Sequence, residues 1–142
     1  MEEPAVSTHL IVPFDVTGWE QTAYDTEAPG PRLFRVTVRK TYRGELAGDG
    51  VAELLMCVAD EDDLGAGAGY VVSERIVGAL DGRAGSFVIQ HWGVSGDGVQ
   101  ATAGHVVPGS GTDELQGLRG TVAVSVADDG AHSLTFDYEL PA

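Results

Sequence analysis

Residues 69–120 read GYVVSERIVGALDGRAGSFVIQHWGVSGDGVQATAGHVVPGSGTDELQGLRG. Asp81-Gly82 and Asp97-Gly98 each separate two runs rich in Val, Ile and Phe. An Asp-Gly pair between alternating apolar residues is the strongest short-range hairpin signal, because both central residues of the favoured turn need positive φ. A two-residue turn also fixes the register. With Asp81-Gly82 at the tip, Val72 lies opposite His91, Glu74 opposite Ile89 and Ile76 opposite Phe87. One face then collects Val72, Glu74, Ile76, Phe87, Ile89 and His91, and the other Ser73, Arg75, Ser86 and Gln90. The apolar residues of both strands share a side, as a correct register requires. The second turn adds Thr102, Gly104 and Val106 to that inner face and sends Gln90, Trp92 and His105 outward. Two ionisable residues, Glu74 and His91, are left as diagonal neighbours on an apolar surface.

The same pattern extends in both directions. Residues 8–19 read as a first strand, with Pro13 better suited to an edge or a bulge than to a central position. Residues 20–31 are polar and punctuated by two prolines, a long loop placed to act as a lid. Over 32–43 the alternation is clean: Phe34, Val36, Val38 and Tyr42 point one way and Arg35, Thr37, Arg39, Thr41 and Arg43 the other. Lys40 falls on the inner face and must reach the mouth or pair with an acid. Asp49-Gly50 reads as a turn into residues 51–59, where Leu54 to Val58 run together and predict burial on both faces; around Gly44 the register is open to a bulge. Residues 60–68 form an acidic, glycine-rich loop, and 108–119 a connector with one helical turn near 112–116. In the last hairpin Val122, Val124 and Val126 point inward. Asp128-Asp129-Gly130 sets Val126 against His132, Val124 against Leu134 and Val122 against Phe136, and Tyr138 and Leu140 follow on the same side. About eight strands joined mostly by hairpins predict a single antiparallel β-barrel over 8–141 behind a frayed tail, 1–7.

Composition narrows the function classes. The chain has 142 residues, enough for one domain with its own core. A formal charge of −14 argues against nucleic acid and against an anionic membrane surface, both of which need clustered Lys and Arg. No apolar run spans a bilayer and the acidic first residues are unlike a signal peptide. One cysteine, Cys57, suits a reducing, cytoplasmic setting. The four histidines and Cys57 show no metal-ligand spacing, the acidic run at 60–63 lacks the spaced oxygens of a calcium loop, and Gly65 to Gly69 lacks a phosphate loop's lysine. Neither a metal nor a cofactor is expected.

Several motifs are distinctive. Leu80-x-Gly82-Arg83-x-Gly85-Ser86-Phe87-Val88-x-Gln90-His91-x-Gly93 is followed by Val107-Pro108-Gly109-Ser110-Gly111-Thr112-x-Glu114-Leu115-x-Gly117-Leu118-Arg119-Gly120. Lys40-Thr41-Tyr42-x-Gly44-x-Leu46-x-Gly48, Glu74-Arg75 and Asp137-Tyr138 add to them. Together these resemble a family of small bacterial proteins that carries only a domain-of-unknown-function label. The resemblance implies a calycin-like barrel of the kind seen in allene oxide cyclase, with dirigent proteins as more distant relatives. Such proteins hold small apolar or phenolic molecules and guide cyclisation or coupling without a metal. The chain departs from the family pattern at Asp113, where relatives have glycine, and at Gly104, where they have a bulkier residue.

The candidate site follows from the inner face. Glu74 and His91 form either an acid–base pair, the imidazole titrating near neutrality, or a polar pair satisfied for structural reasons; Tyr138 is the third candidate catalytic group. Val72, Ile76, Phe87, Ile89, Val106 and Phe136, with Lys40 and Tyr42, are expected to line a ligand cavity, and Gly104 to leave a gap in it. Two classes of function stay open: a cofactor-free cyclase or isomerase acting on a small apolar or aromatic molecule, and a non-catalytic binder or carrier. Val88, Trp92 and Leu55 on outer positions predict a homodimer or other homo-oligomer.

Overall fold

The computed structural model describes residues 7–141, so of the expected tail all but Ser7 lies outside the described residues. Eight strands follow one another around a closed antiparallel barrel: β1 (Thr8–Tyr24), β2 (Arg32–Tyr42), β3 (Leu46–Val58), β4 (Ala68–Leu80), β5 (Arg83–Gly96), β6 (Val99–Val106), β7 (Arg119–Val126) and β8 (His132–Glu139). Two single turns of 3-10 helix, Leu64–Ala66 and Asp113–Leu115, lie in the connections. No helix is long and apolar enough to cross a membrane.

The Asp-Gly turns set the frame. Asp81 and Gly82 have φ of 49° and 80°, Asp97 and Gly98 of 51° and 74°, the paired positive values that match the strand twist. Val72 pairs with His91, Glu74 with Ile89, Ile76 with Phe87, and His91 with Gly104. The last hairpin pairs Val126 with His132, Val124 with Leu134 and Val122 with Phe136. Asp113 has a φ of 54°, a left-handed position that glycine adopts more easily, in keeping with the glycine the resemblance implies there.

Four readings are corrected. The loop expected over 20–31 is strand as far as Tyr24, which still pairs with Leu33, because Ala23 turns inward against the Phe34 cluster. Asp49-Gly50 is no turn: Asp49 pairs with Thr41 and Gly50 with Lys40 inside one ladder, and the chain reverses instead around Gly44, at a φ of 96°. Leu55 and Val126 stay exposed, one on the outer face of β3 and the other at the strand end beside the β7–β8 turn. Pro13 lies within a paired strand, and the bulge comes later, between Val16 and Gly18. Its carbonyl accepts from Arg43 N–H, so its hydrogen-less nitrogen faces β2 just before that ladder begins at Phe14 and no bond is lost.

Closure is uneven. β1 pairs with β8 only over Thr8 to Phe14 and with β2 from Phe14 to Tyr24. β6 and β7 share two residue pairs, Gly104–Val122 and His105–Thr121, so the wall parts on the Gln100–Thr102 side. At the opposite end β6 stops against Ile89 and the connector takes its place along β5. Val107 and Thr112 donate N–H to the carbonyls of Val88 and Ser86, while Ser110 Oγ and Thr112 Oγ1 accept from the N–H of Val88 and Ser86. Leu115 and Leu118 then turn inward and plug that end.

The interior is two apolar clusters with a polar layer between. Val12, Phe14, Leu46, Ile76, Leu80, Phe87, Ile89, Phe136 and their neighbours fill the plugged end. Phe34, Val36, Val38, Ala52, Val58 and Val72 pack the other. Among the described residues Lys40, Glu74 and His91 are buried basic or acidic side chains, and the hydroxyl-bearing Tyr42 is buried beside them.

Candidate functional site

Alternation along β2 and β4 brings the polar layer together. Lys40 and Tyr42 are successive inward residues of β2, and Glu74 is the inward residue of β4 between Val72 and Ile76. Glu74 is fully buried. Lys40 Nζ donates to its Oε1 at 2.8 Å and the Tyr42 hydroxyl donates to its Oε2. The Lys40 ammonium also sits 4.8 Å over the Phe14 ring, an aromatic face that favours a desolvated cation. Gly50 makes room for the carboxylate, since a Cβ there would overlap Glu74 Oε2 and come within 3.1 Å of the Tyr42 ring.

His91 stands beside this cluster but outside its hydrogen bonds. Its Nε2 lies 3.7 Å from Glu74 Oε1, beyond bonding range. Neither ring nitrogen has a hydrogen-bond partner, and neither does the buried Thr102 Oγ1. The imidazole meets the Tyr70 ring edge-on at 5.9 Å. Gly93 allows this, because a Cβ there would come within 2.6 Å of Tyr70. Where β6 and β7 part, a pocket of about 520 Å³ opens, lined by Met56, Tyr70, Gly93, Gln100, Thr102 and Val124 among others. Tyr70 and Thr102 thus line the pocket at the mouth, and His91 lies between Tyr70 and the Lys40–Glu74–Tyr42 cluster without lining the pocket itself.

The electrostatics separate an anchor from a free group. Burial pushes the Glu74 carboxyl up, but the His91 ring, the Lys40 ammonium and the Tyr42 hydroxyl together outweigh it and hold the acid below its ordinary 4.5. Burial and the adjacent Glu74 charge push the Tyr42 hydroxyl far up, so it remains a donor. Burial also raises the Tyr70 hydroxyl. A depressed carboxyl contributes stability that is complete above about 4.5 and is lost as pH falls through its lower folded-state value. Glu74→Gln should therefore flatten the acid limb of stability relative to wild type. Urea midpoints measured from neutral pH down to about pH 3 test this; identical slopes would exclude Glu74 as a source of acid sensitivity.

Of the candidates read from sequence, Glu74 and His91 come together as the register requires, and Lys40 and Tyr42 meet Glu74. Tyr138 does not join them: its ring packs on Phe136 at 5.2 Å, and its hydroxyl makes no hydrogen bond to Glu74 or His91. Ile76, Phe87, Ile89, Val106 and Phe136 belong to the packed apolar core and not to the pocket at the mouth. They interlock at 3% exposure or less, with Phe87 stacked on Phe136 at 5.8 Å, because an eight-stranded barrel is narrow enough for side chains to fill. Gly104 is no gap either; a Cβ there would overlap His91 and the Gln90 carbonyl, so it marks close strand approach. Tyr70, Thr102 and Gly50 were missed. The alternation Tyr70-Val72-Glu74 carried the signal for Tyr70, while the pocket beside it depends on where β7 departs from β6.

Fold and site define a small closed antiparallel barrel, plugged at one end, with a buried ionic layer leading to an open mouth. The chain belongs to the family of proteins of unknown function designated DUF3224, whose profile matches residues 11–138. It is similar over 96% of its length to the whole of a crystallised protein of unknown function from that family, from Shewanella oneidensis MR-1, at 35% identity and a TM-score of 0.78. Comparison with curated proteins finds no match.

Proposed function

We propose that the barrel binds a small, uncharged, apolar or aromatic molecule with one polar end, held at the mouth with that end toward Thr102, Tyr70 and His91. The observation that carries this is the buried, unpartnered Thr102 Oγ1 in the lining of the mouth pocket with Met56, Tyr70 and Val124, and two further unpartnered atoms, His91 Nδ1 and Nε2, on the ring that meets Tyr70. Buried polar atoms are normally paired, and an unpaired one costs about 1–3 kcal/mol; a ligand hydroxyl or carbonyl offsets that cost. An anion is disfavoured, since the buried cation Lys40 is already engaged by Glu74 and the chain carries −14. The resemblance read from the sequence motifs implies the same substrate class, and the single cysteine suits the cytoplasm.

A cofactor-free cyclase or isomerase is the second reading, favoured by an ionised carboxylate 3.7 Å from the imidazole. Glu74 then orients His91, and His91 moves the proton, a contribution of about 10²–10⁴-fold. A carrier needs only the orientation.

The test compares 1-naphthol with naphthalene by calorimetry. Wild type should prefer the naphthol about tenfold, the worth of one good hydrogen bond, and His91→Leu and Thr102→Val should reduce that preference. Loss of stability with unchanged naphthol preference would make His91 structural and end this reading.

A further inference from the structure

We infer that the outer face of β3 to β6 is the contact between two copies of this chain in a two-fold homodimer. Register builds that face in two adjacent cross-strand rows. Leu55 pairs with Val71, Val71 with Trp92 and Trp92 with Ala103. Next to them Cys57 pairs with Gly69, Gly69 with Val94 and Val94 with Ala101. These positions alternate with the inward residues, so all point away from the core. Leu55 is 49% exposed, Val71 56%, Trp92 41% and Val94 42%. Single exposed apolar residues need no explanation, but a contiguous block on four neighbouring strands marks an interaction surface.

Shape and charge select a second copy as the occupant. The ridge Leu55–Val71–Trp92 stands between two hollows, about 730 Å³ on the side of Gln90 and His105 and about 380 Å³ on the side of Leu33 and Gly69. Gly69 produces the second hollow by placing no side chain between Cys57 and Val94. Ridge and hollow on one face are what a self-complementary two-fold contact needs. The two rows carry no charge, although the chain carries −14. A basic protein would find no acid to pair with at the centre and a nucleic acid no cation, whereas a second copy opposes uncharged surface with uncharged surface. Glu53, Ser73, Gln90 and His105 supply a polar rim. Val88 falls outside the patch: it is half-buried, and its backbone is bonded to the connector.

Sedimentation equilibrium of the full chain, from micromolar to near-millimolar, tests the inference. The expected result is a reversible rise from 14.8 kDa to twice that mass, stronger in high salt because screening weakens the repulsion between two acidic copies. Trp92→Glu and Val71→Asp should each weaken the dimer by about 30-fold or more, while Val77→Asp, equally exposed on β4 but off the patch, should leave it unchanged. Melting temperatures check folding, and Trp92→Ala replaces any variant that fails. A monomer throughout, or a dimer indifferent to all the patch substitutions, overturns the proposal.

Discussion

Glu74→Gln should lower the free energy of unfolding by about 3–5 kcal/mol, the largest effect expected of any single polar substitution in this chain. The carboxylate is fully buried and accepts from both Lys40 and Tyr42. Removing its charge leaves the Lys40 ammonium, itself 7% exposed, in a low-dielectric interior with no counter-ion. The penalty is the cost of an uncompensated buried charge, which exceeds what the intact pair contributes. The double variant Lys40→Met, Glu74→Leu should therefore recover most of the loss, because two apolar chains replace two desolvated ions. Urea denaturation of the three variants decides it. A double variant as unstable as Glu74→Gln would show that the cluster's geometry matters more than its charge.

Gly50→Val should cost about 3 kcal/mol, from overpacking together with disruption of the charged hydrogen bond that the carboxylate accepts from Tyr42. A Cβ at this position overlaps Glu74 Oε2, so the carboxylate must leave its seat or the β2–β3 ladder must shift. The backbone at Gly50 has no positive φ, so the cost is one of space. Gly82, with a φ of 80° and nothing near its missing Cβ, provides the contrast: Gly82→Ala should cost only about 1 kcal/mol, through conformation alone. Thermal melts of both variants, with Tyr42→Phe as a reference for the lost hydrogen bond, check the assignment. A Gly50→Val variant no worse than Gly82→Ala would mean the carboxylate has slack.

Glu74 and His91 were legible because two-residue turns admit a single register and the pleat alternates strictly. Once Asp81-Gly82 is a turn, facing residues are determined along the whole hairpin, and the same holds at Asp97-Gly98 and at the β7–β8 loop. The dipeptide signal misled at Asp49-Gly50, where the glycine serves a neighbour's side chain instead of a turn. Nothing in residues 49 and 50 distinguishes the two uses; the difference lies 24 positions away from Gly50, at Glu74.

Local sequence thus determined the register and the facing residues of the hairpins at Asp81-Gly82, Asp97-Gly98 and the β7–β8 loop, which depend on neighbours within one hairpin. Which inward residues meet was decided by closure. Lys40 and Tyr42 reach Glu74 across the intervening strand β3, at Gly50, and no hairpin containing only β4 and β5 specifies that contact. Closure also decided where space remains. The strands draw together over the Phe87 and Phe136 stack, whose side chains fill the space the sequence had assigned to a ligand, and they part at Thr102 because β6 and β7 share only two pairs. A cavity is the difference between the volume a wall encloses and the volume its side chains occupy, and that wall exists only when all eight strands are in place.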